Sequence, residues 1–516
     1  MYPVHNILEN LLVNWQTANG KRQTGKWQTY WKNQIMGTLQ AKNHILKPVF
    51  IIISGLAITQ TIGCTTFNSY HQKNQVNAQT PAKPAPQEIV QTGEVRPLPG
   101  SLDKIPVFNS NSPEWIKNEG ILLSTFTPNN KKVPAAHLNF PIQGRFDLFA
   151  HHYTHTPKDL QTLYIGVILH NPSKKPITIN ILQGASYLMT EAPFVTLQPY
   201  IENNDGKAFS GPGARAVADV LRGVRQKEFP ARIVIPAGGS QMLLNHPIPV
   251  RNLEKPVNGR SSFFRLNSSG KIYAASLAMF AKKNADGSER APTLKEWQDL
   301  LNNGNFAGPR DKTPTPPDAK GGQLIYSRVA GISEGATWKA NLTDNTKTQT
   351  LTIPEPGKII SYPIANLRGG RLGTEQSQTA KMLVRYPDTA YEAHGNYGVE
   401  YQLNIPLTNN TNKNQTVSIT LETPLKEDRL SEKGIKFRKP SLDFPFFRGT
   451  VRLKYSDDQG KQQTRYVHLW HRTGQVLDPL LKLDLKPGTQ IKVQLDVIYP
   501  PDSTPPQVVT IKTLEN

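Results

Sequence analysis

Short runs of alternating apolar and polar residues, each stopped by Pro, Gly or Asn, recur along most of this 516-residue chain. The runs are Arg145 to Ala150, Leu163 to Leu169, Ile177 to Leu182, Arg232 to Ile235, Ile272 to Phe280, Val399 to Leu407, Val417 to Leu421, Val451 to Tyr455 and Ile491 to Tyr499. A period of two places apolar side chains on one face of a strand. Many such strands at regular spacing predict a mostly β protein built of immunoglobulin-like β-sandwiches. The 37% apolar content is enough for real cores. No heptad run, collagen period or second long apolar stretch is present, which excludes fibrous and multi-pass membrane classes. The single cysteine excludes a disulfide scaffold and a multi-cysteine zinc site.

The strands also repeat. TLYIGVILHNPSKKPITINIL (Thr162 to Leu182) and VEYQLNIPLTNNTNKNQTVSITL (Val399 to Leu421) each read as a strand, an Asn-rich loop with Lys, and a second strand, a hairpin with a polar turn. Later in each half comes a strand, a turn with Pro and Gly, and a strand: RIVIPAGGSQMLL (Arg232 to Leu244) and LKLDLKPGTQIKVQL (Leu481 to Leu495), with a third version at Leu351 to Ile364. The same order twice predicts two related sandwich domains, 105–290 and 323–516. Residues 291–322 would join them. Thr293-Leu294-Lys295-Glu296 is a capping-box pattern, and Leu294, Trp297, Leu300 and Leu301 follow at helical spacing. Phe306 to Gly322 is a Pro/Gly linker. A second short helix is expected at Ala214 to Arg222, after Gly211-Pro212-Gly213.

The amino-terminal part reads differently. Lys42 and Lys47 precede an apolar stretch, Val49 to Gly63, which ends at Cys64, the only cysteine. A basic region followed by about 7–15 apolar residues and small residues is a secretory signal, and 15 residues are too few for a comfortable membrane span. Thr61-Ile62-Gly63-Cys64 resembles a bacterial lipobox, whose cysteine takes a diacylglycerol and becomes the new amino terminus. Gly63 fits, while Thr61 stands where Leu is usual. Residues 1–64 are thus expected to be a signal segment, with Met36 its natural start. Residues 65–104, rich in Gln, Asn, Pro and Thr, are expected to be a disordered tether.

The chain carries 60 Lys and Arg against 39 Asp and Glu. Residues 1–64 hold six of the basic residues and one acidic one, so the remainder is 54 − 38 = +16. The basic residues are scattered, without a zinc-finger spacing, an arginine-rich helix or a ribonucleoprotein motif, so nucleic acid is not the expected partner. An exported basic surface fits anionic polysaccharide, peptidoglycan or lipid head groups.

The stretches VRPLPGSLDKIPVFNSNSPEW, HLNFPIQGRFDLFAHH, SYLMTEAPFVTLQPYIENNDGKAFSGPGAR, ERAPTLKEWQ, MLVRYPDTAYEAHGNYGVEY and YPPDSTPPQVVTI resemble a cyanobacterial family of exported proteins of unknown function. The likeness runs from about Glu88 to Ile511. It implies a cyanobacterial envelope protein and brings no mapped activity.

Two clusters are candidate sites. His151, His152 and His155 invite a metal, but on a strand His151 and His152 point to opposite faces. His151 and His155 remain weak metal candidates, and no metal or other cofactor is expected. Tyr391, His394, Asn396 and Tyr397 lie in a short aromatic and polar stretch with Gly395 and Gly398. Rings and amides in that mix suit the apolar faces and hydroxyl rims of a sugar. No GxSxG, HExxH, phosphate-loop or dinucleotide pattern occurs, and no catalytic residue is expected. The expected role is a non-catalytic cell-envelope lipoprotein, exported and anchored in the periplasm or outer membrane, with a structural or binding function. The alternative is an envelope glycan hydrolase with its site at the domain interface.

Overall fold

The computed structural model describes residues 85–515 apart from Asp458. The signal segment, Cys64 and the tether up to residue 84 lie outside the described residues. The described chain is mostly β. No helix in it is long and apolar enough to cross a membrane.

In the first half, six strands follow in order: β3 (Ile142–Thr154), β4 (Leu163–His170), β5 (Ile177–Leu188), β7 (Arg232–Ile235), β8 (Ser240–Ile248) and β9 (Gly259–Phe280). Before them come β1 (Gln87–Val95) and β2 (Pro106–Ser110), and β6 (Tyr200–Glu202) lies between β5 and β7. β7, β5, β9 and β3 lie side by side, all antiparallel. β8 pairs β4 in a second layer, which the far half of β9 joins.

The second half contains β10 (Ala330–Glu334), β11 (Ile359–Ile364), β12 (Ala380–Arg385), β13 (Glu400–Thr408), β14 (Gln415–Glu422), β15 (Gly434–Lys439), β16 (Pro445–Ser456), β17 (Gln462–Arg472), β18 (Leu481–Leu485), β19 (Gln490–Ile498) and β20 (Gln507–Thr513). Here β18, β14, β20 and β11 lie side by side, all antiparallel, and β19 pairs β13. Six strands in the same chain order thus share four pairings in the two halves, while the additional pairing of β9 with β4 belongs to the first half alone. The Asn-rich loops do not close hairpins, however. β4 and β5 pair with opposite halves of β9 and not with each other, and β13 and β14 belong to different sheets.

A buried asparagine shapes each crossing. Asn171 Nδ2 donates to Lys175 O at 2.7 Å and Ile235 O at 3.1 Å, and its Oδ1 accepts from Ser173 N. Asn409 does the same with Lys413 O at 2.8 Å, Leu485 O at 2.9 Å and Thr411 N. Each bracket ties the loop to the end of the next strand pair, so both corners keep one shape.

The halves are not separate sheets. β2 runs parallel to β3, β10 is antiparallel to β2, and β12 to β10, so second-half strands extend the first sheet. In return β6 pairs β17. Gln87–Val95, expected within a disordered tether, is a strand between β11 and β15. Its average composition is polar, but Ile89 and Val95 pack on the cluster of Ile435, Phe437 and Val508.

Helix α1 (Pro212–Leu221) packs β5 and β9 on one side and β16 and β19 on the other. Ala216, Val217, Val220 and Leu221 meet Phe149, Ala185, Phe263 and Ile498 there. Gly211 has φ +100°, and a Cβ on Gly213 would stand 2.1 Å from Pro501, so this entry admits little but glycine. Helix α2 (Leu294–Asn303) carries the expected capping box, and Trp297 is fully buried.

The linker after α2 is partly pinned. Phe306 and Gly308 bridge to Ile121 and Asn118, and Arg310 grips Asp388 through two bonds of 2.7 and 2.8 Å. Lys320, Gly321 and Gly322 are exposed. Within this linker, limited trypsin treatment should therefore cut at Lys320 and spare Arg310, as mass spectrometry of the fragments would show.

Candidate functional site at the junction of the halves

Charged side chains gather where the two halves face each other across α1. Asp147 on β3 is fully buried and pairs with Arg145. Arg265 on β9 lies 4.0 Å from Asp147 and 2.6 Å from Glu400 on β13. Arg452 on β16 reaches Glu400 at 3.7 Å and Asp496 on β19 at 2.7 Å. Three arginines and three carboxylates thus alternate from one half to the other. Burial raises the pKa of Asp147 and of Asp496, and the adjoining arginines oppose it.

A second group includes two of the sequence candidates. Glu114 contacts Arg328, and its Oε1 is 3.8 Å from His151 Nε2. Burial would raise the Glu114 carboxyl, but Arg328 and His151 pull it down to about 2. His151 Nδ1 bonds Ser261 Oγ at 2.7 Å. Asp502 accepts from Ala214 N at 2.9 Å, at the amino end of α1. Its pKa is raised by burial, against the pull of His151 and Arg448. Tyr397 Oη donates to Ser503 O at 2.9 Å.

The remaining candidates separate. His152 turns to the other face of β3, toward Ser110 Oγ and Pro113 O, and burial holds its pKa down to about 4. His155 is exposed at the strand's end, so it shares no site with buried His151. Among the described residues no three His, Cys, Asp or Glu side chains gather as a metal site. Asn396 is buried, and its amide is spent internally. Nδ2 donates to Gln378 O and Tyr401 Oη, and Oδ1 accepts from Ala380 N. Asn396 therefore cannot serve a sugar, which corrects the expectation for that residue. Arg385 covers the Tyr391 ring at 3.7 Å. His394 packs on Tyr326, and burial lowers its pKa to about 4.

The arginine ladder escaped the sequence reading. Arg265, Glu400, Arg452 and Asp496 each interrupt an apolar strand at a polar position of the alternation. Such a position ordinarily faces water. Only the packing of one sheet on another buries it.

None of the curated proteins matches this chain. Among solved structures, the Macrobrachium rosenbergii nodavirus is 10% identical, covers 91% of this chain and 98% of its own, and has a TM-score of 0.11. Bacillus subtilis oxalate decarboxylase is 8% identical over 73% and 76%, with a TM-score of 0.10. The coconut allergen cocosin is 10% identical over 73% and 84%, with a TM-score of 0.08. Such low scores carry no inference about fold or function. The family described as Protein of unknown function (DUF3370) matches residues 93–513, and this chain belongs to that family.

Proposed function

We propose that this protein is an exported, lipid-anchored cell-envelope protein of cyanobacterial type. Two related β-sandwich modules form its body, and its role is structural and binding. Its partner is envelope polysaccharide or peptidoglycan. The observation that carries the non-catalytic reading is the commitment of the junction carboxylates. Asp147, Glu400 and Asp496 are held by arginines, and Glu114 and Asp502 by Arg328 and the α1 backbone. Acid–base catalysis needs a carboxyl within reach of a substrate, and these serve to join the halves. The shared pairing order and the twin asparagine brackets support the relatedness of the modules.

Anchoring rests on Cys64 and the preceding apolar stretch. Two acyl chains and a thioether-linked glycerol hold a protein on a bilayer, since each buried CH₂ contributes about 0.8 kcal/mol. Cys64→Ser should move the protein from the detergent phase to the aqueous phase. Unchanged partitioning would end the lipoprotein reading. Detergent-solubilised protein should also be retained by isolated cell-wall material, less so as salt rises; no retention at low salt removes the binding role.

The hydrolase reading keeps one supporting observation. Glu114 is pushed down and Asp502 up, and His151 acts on both, the kind of divergence that acid and base pairs show. Turnover of envelope glycan, abolished by Asp502→Asn, would establish it in place of the binding reading.

A further inference from the structure

We propose that the end of the second half where β6 docks on β17 is a binding site for a neutral polyhydroxylated ligand, a sugar unit. The proposal rests on the envelope-glycan reading above and gives that reading a location.

His471 on β17 is fully buried, and neither ring nitrogen has a partner. The Tyr200 ring of β6 meets it edge-on at 5.6 Å, and the Tyr200 hydroxyl is likewise unpartnered. Thr423 follows β14 and Thr473 follows β17. Both are buried with unpartnered hydroxyls. Gly474 N donates to Thr423 O at 2.8 Å, which brings these two segments together. Glu422, just before Thr423, is not part of this set: its carboxyl is bonded by Gln91 at 2.9 Å and by Thr510. Its charge acts on the Tyr200 hydroxyl. Four side chains from both layers of the second half therefore leave five polar atoms unpaired at one end of the fold.

Buried polar groups normally find partners, so a cluster of orphans calls for a molecule that completes them. The type of group selects the molecule. Threonine and tyrosine hydroxyls both donate and accept, and so does a neutral imidazole. Burial and the neighbouring His468 hold His471 down to about 3, so it is neutral. None of the five atoms belongs to Lys or Arg, and without a cation the set does not select phosphate or carboxylate. Hydroxyl groups, which both donate and accept, match it. The rings of Tyr200 and Phe447, the latter 5.9 Å from His471, provide apolar walls for a sugar's C–H faces.

The cover is a single short edge strand. β6 has three residues and meets β17 through Tyr200, Ile201 and Glu202, opposite Leu469, His468 and Val467. Tyr200 and Ile201 are half-buried, and Val195 and Thr196 before them are exposed. The chain on either side is tied to the same strand, Trp470 N donating to Pro199 O at 3.1 Å and Asn203 N to Tyr466 O at 2.7 Å, so entry of a ligand requires this edge to open locally.

The test is calorimetric titration of the full chain in detergent with maltotetraose, cellotetraose and chitotetraose, beside His471→Phe and Thr473→Val. At least one sugar should bind wild type, and each variant should bind about tenfold more weakly or worse. The melting temperature should hold or rise, because apolar replacement removes an unpaired polar group. Thr473→Val is nearly isosteric and serves if His471→Phe fails to fold. Absence of binding to wild type, or equal binding by a folded variant, overturns the site. The same proteins are also tested on isolated cell-wall material. Retention of wild type with no sugar site removes this proposal alone, while loss of both removes the glycan reading as well. A crystal structure grown in saturating sugar that shows only water at His471 also overturns the site.

Discussion

Glu400→Gln should lower stability by about 3 kcal/mol, the lower end for a broken buried ion pair. Glu400 is nearly inaccessible and stands between Arg265 and Arg452. Removing its charge leaves Arg265 with only the 4.0 Å contact to Asp147, while Arg452 keeps Asp496 at 2.7 Å. That retained partner keeps the loss at the lower end. The exposed pair Lys295–Asp299 on α2 is the comparison. Lys295→Ala should change stability by no more than about 0.5 kcal/mol. Adding Arg265→Gln to Glu400→Gln should cost less than the sum of the two single changes, because both remove one interaction. Denaturant titration measures all four. Equal, small effects at both pairs would mean that the junction charges are solvated and do not hold the halves together.

Glu422 should make the fold less stable as pH rises. Burial lifts its carboxyl from the ordinary 4.5 up to about 7. Between these values the folded chain holds a proton that the unfolded chain has released. Raising pH through this window therefore favours unfolding. Below about 4.5 both states are protonated and the group is neutral in effect. Above about 7 the full cost is present, about 3 kcal/mol at about 1.4 kcal/mol for each pH unit. Glu422→Gln should remove this slope and stabilise the protein at pH 8 by up to that amount, with little change at pH 4. The buried histidines, held down to about 3–4, push the wild-type profile the other way over part of this range. The reading is therefore the difference between the two proteins: parallel profiles of wild type and Glu422→Gln between pH 4.5 and 7 would contradict the burial of this carboxyl.

What the chain reveals by itself follows the range of the interactions. The strands, the capping box of α2 and the helix after Gly211-Pro212-Gly213 depend on neighbours in sequence, and they were legible. The Asn171 and Asn409 loops were visible as a repeat, but their geometry was not. A strand-loop-strand pattern fits a hairpin and a crossing between layers equally well, and the choice is made by bonds to Ile235 and Leu485, far along the chain. Gln87–Val95 was misread because composition averaged over a window hides two apolar residues on one face. At the candidate sites, Tyr391, His394, Asn396 and Tyr397 were read as a surface because they are adjacent in sequence. Asn396 instead completes bonds inside the fold. Arg265, Glu400, Tyr200 and His471 come together only through pairing between distant segments. No local pattern marks such groups.

The position of β20 bears on how the chain acquires its fold. The six-stranded sheet runs β15, β1, β11, β20, β14, β18. Its fourth place is filled by residues 507–513, the last of the described strands. A chain that emerges amino-terminus first has β1, β11 and β14 in hand long before the strand that must lie between β11 and β14. Closing that gap waits for almost all of the chain and carries the slow kinetics of distant pairing. During that wait the open strand edges can recruit other chains. Vectorial synthesis or transport therefore cannot complete this sheet stepwise. Loss of even the final ten residues should leave a chain that aggregates, whatever the quality of the first half.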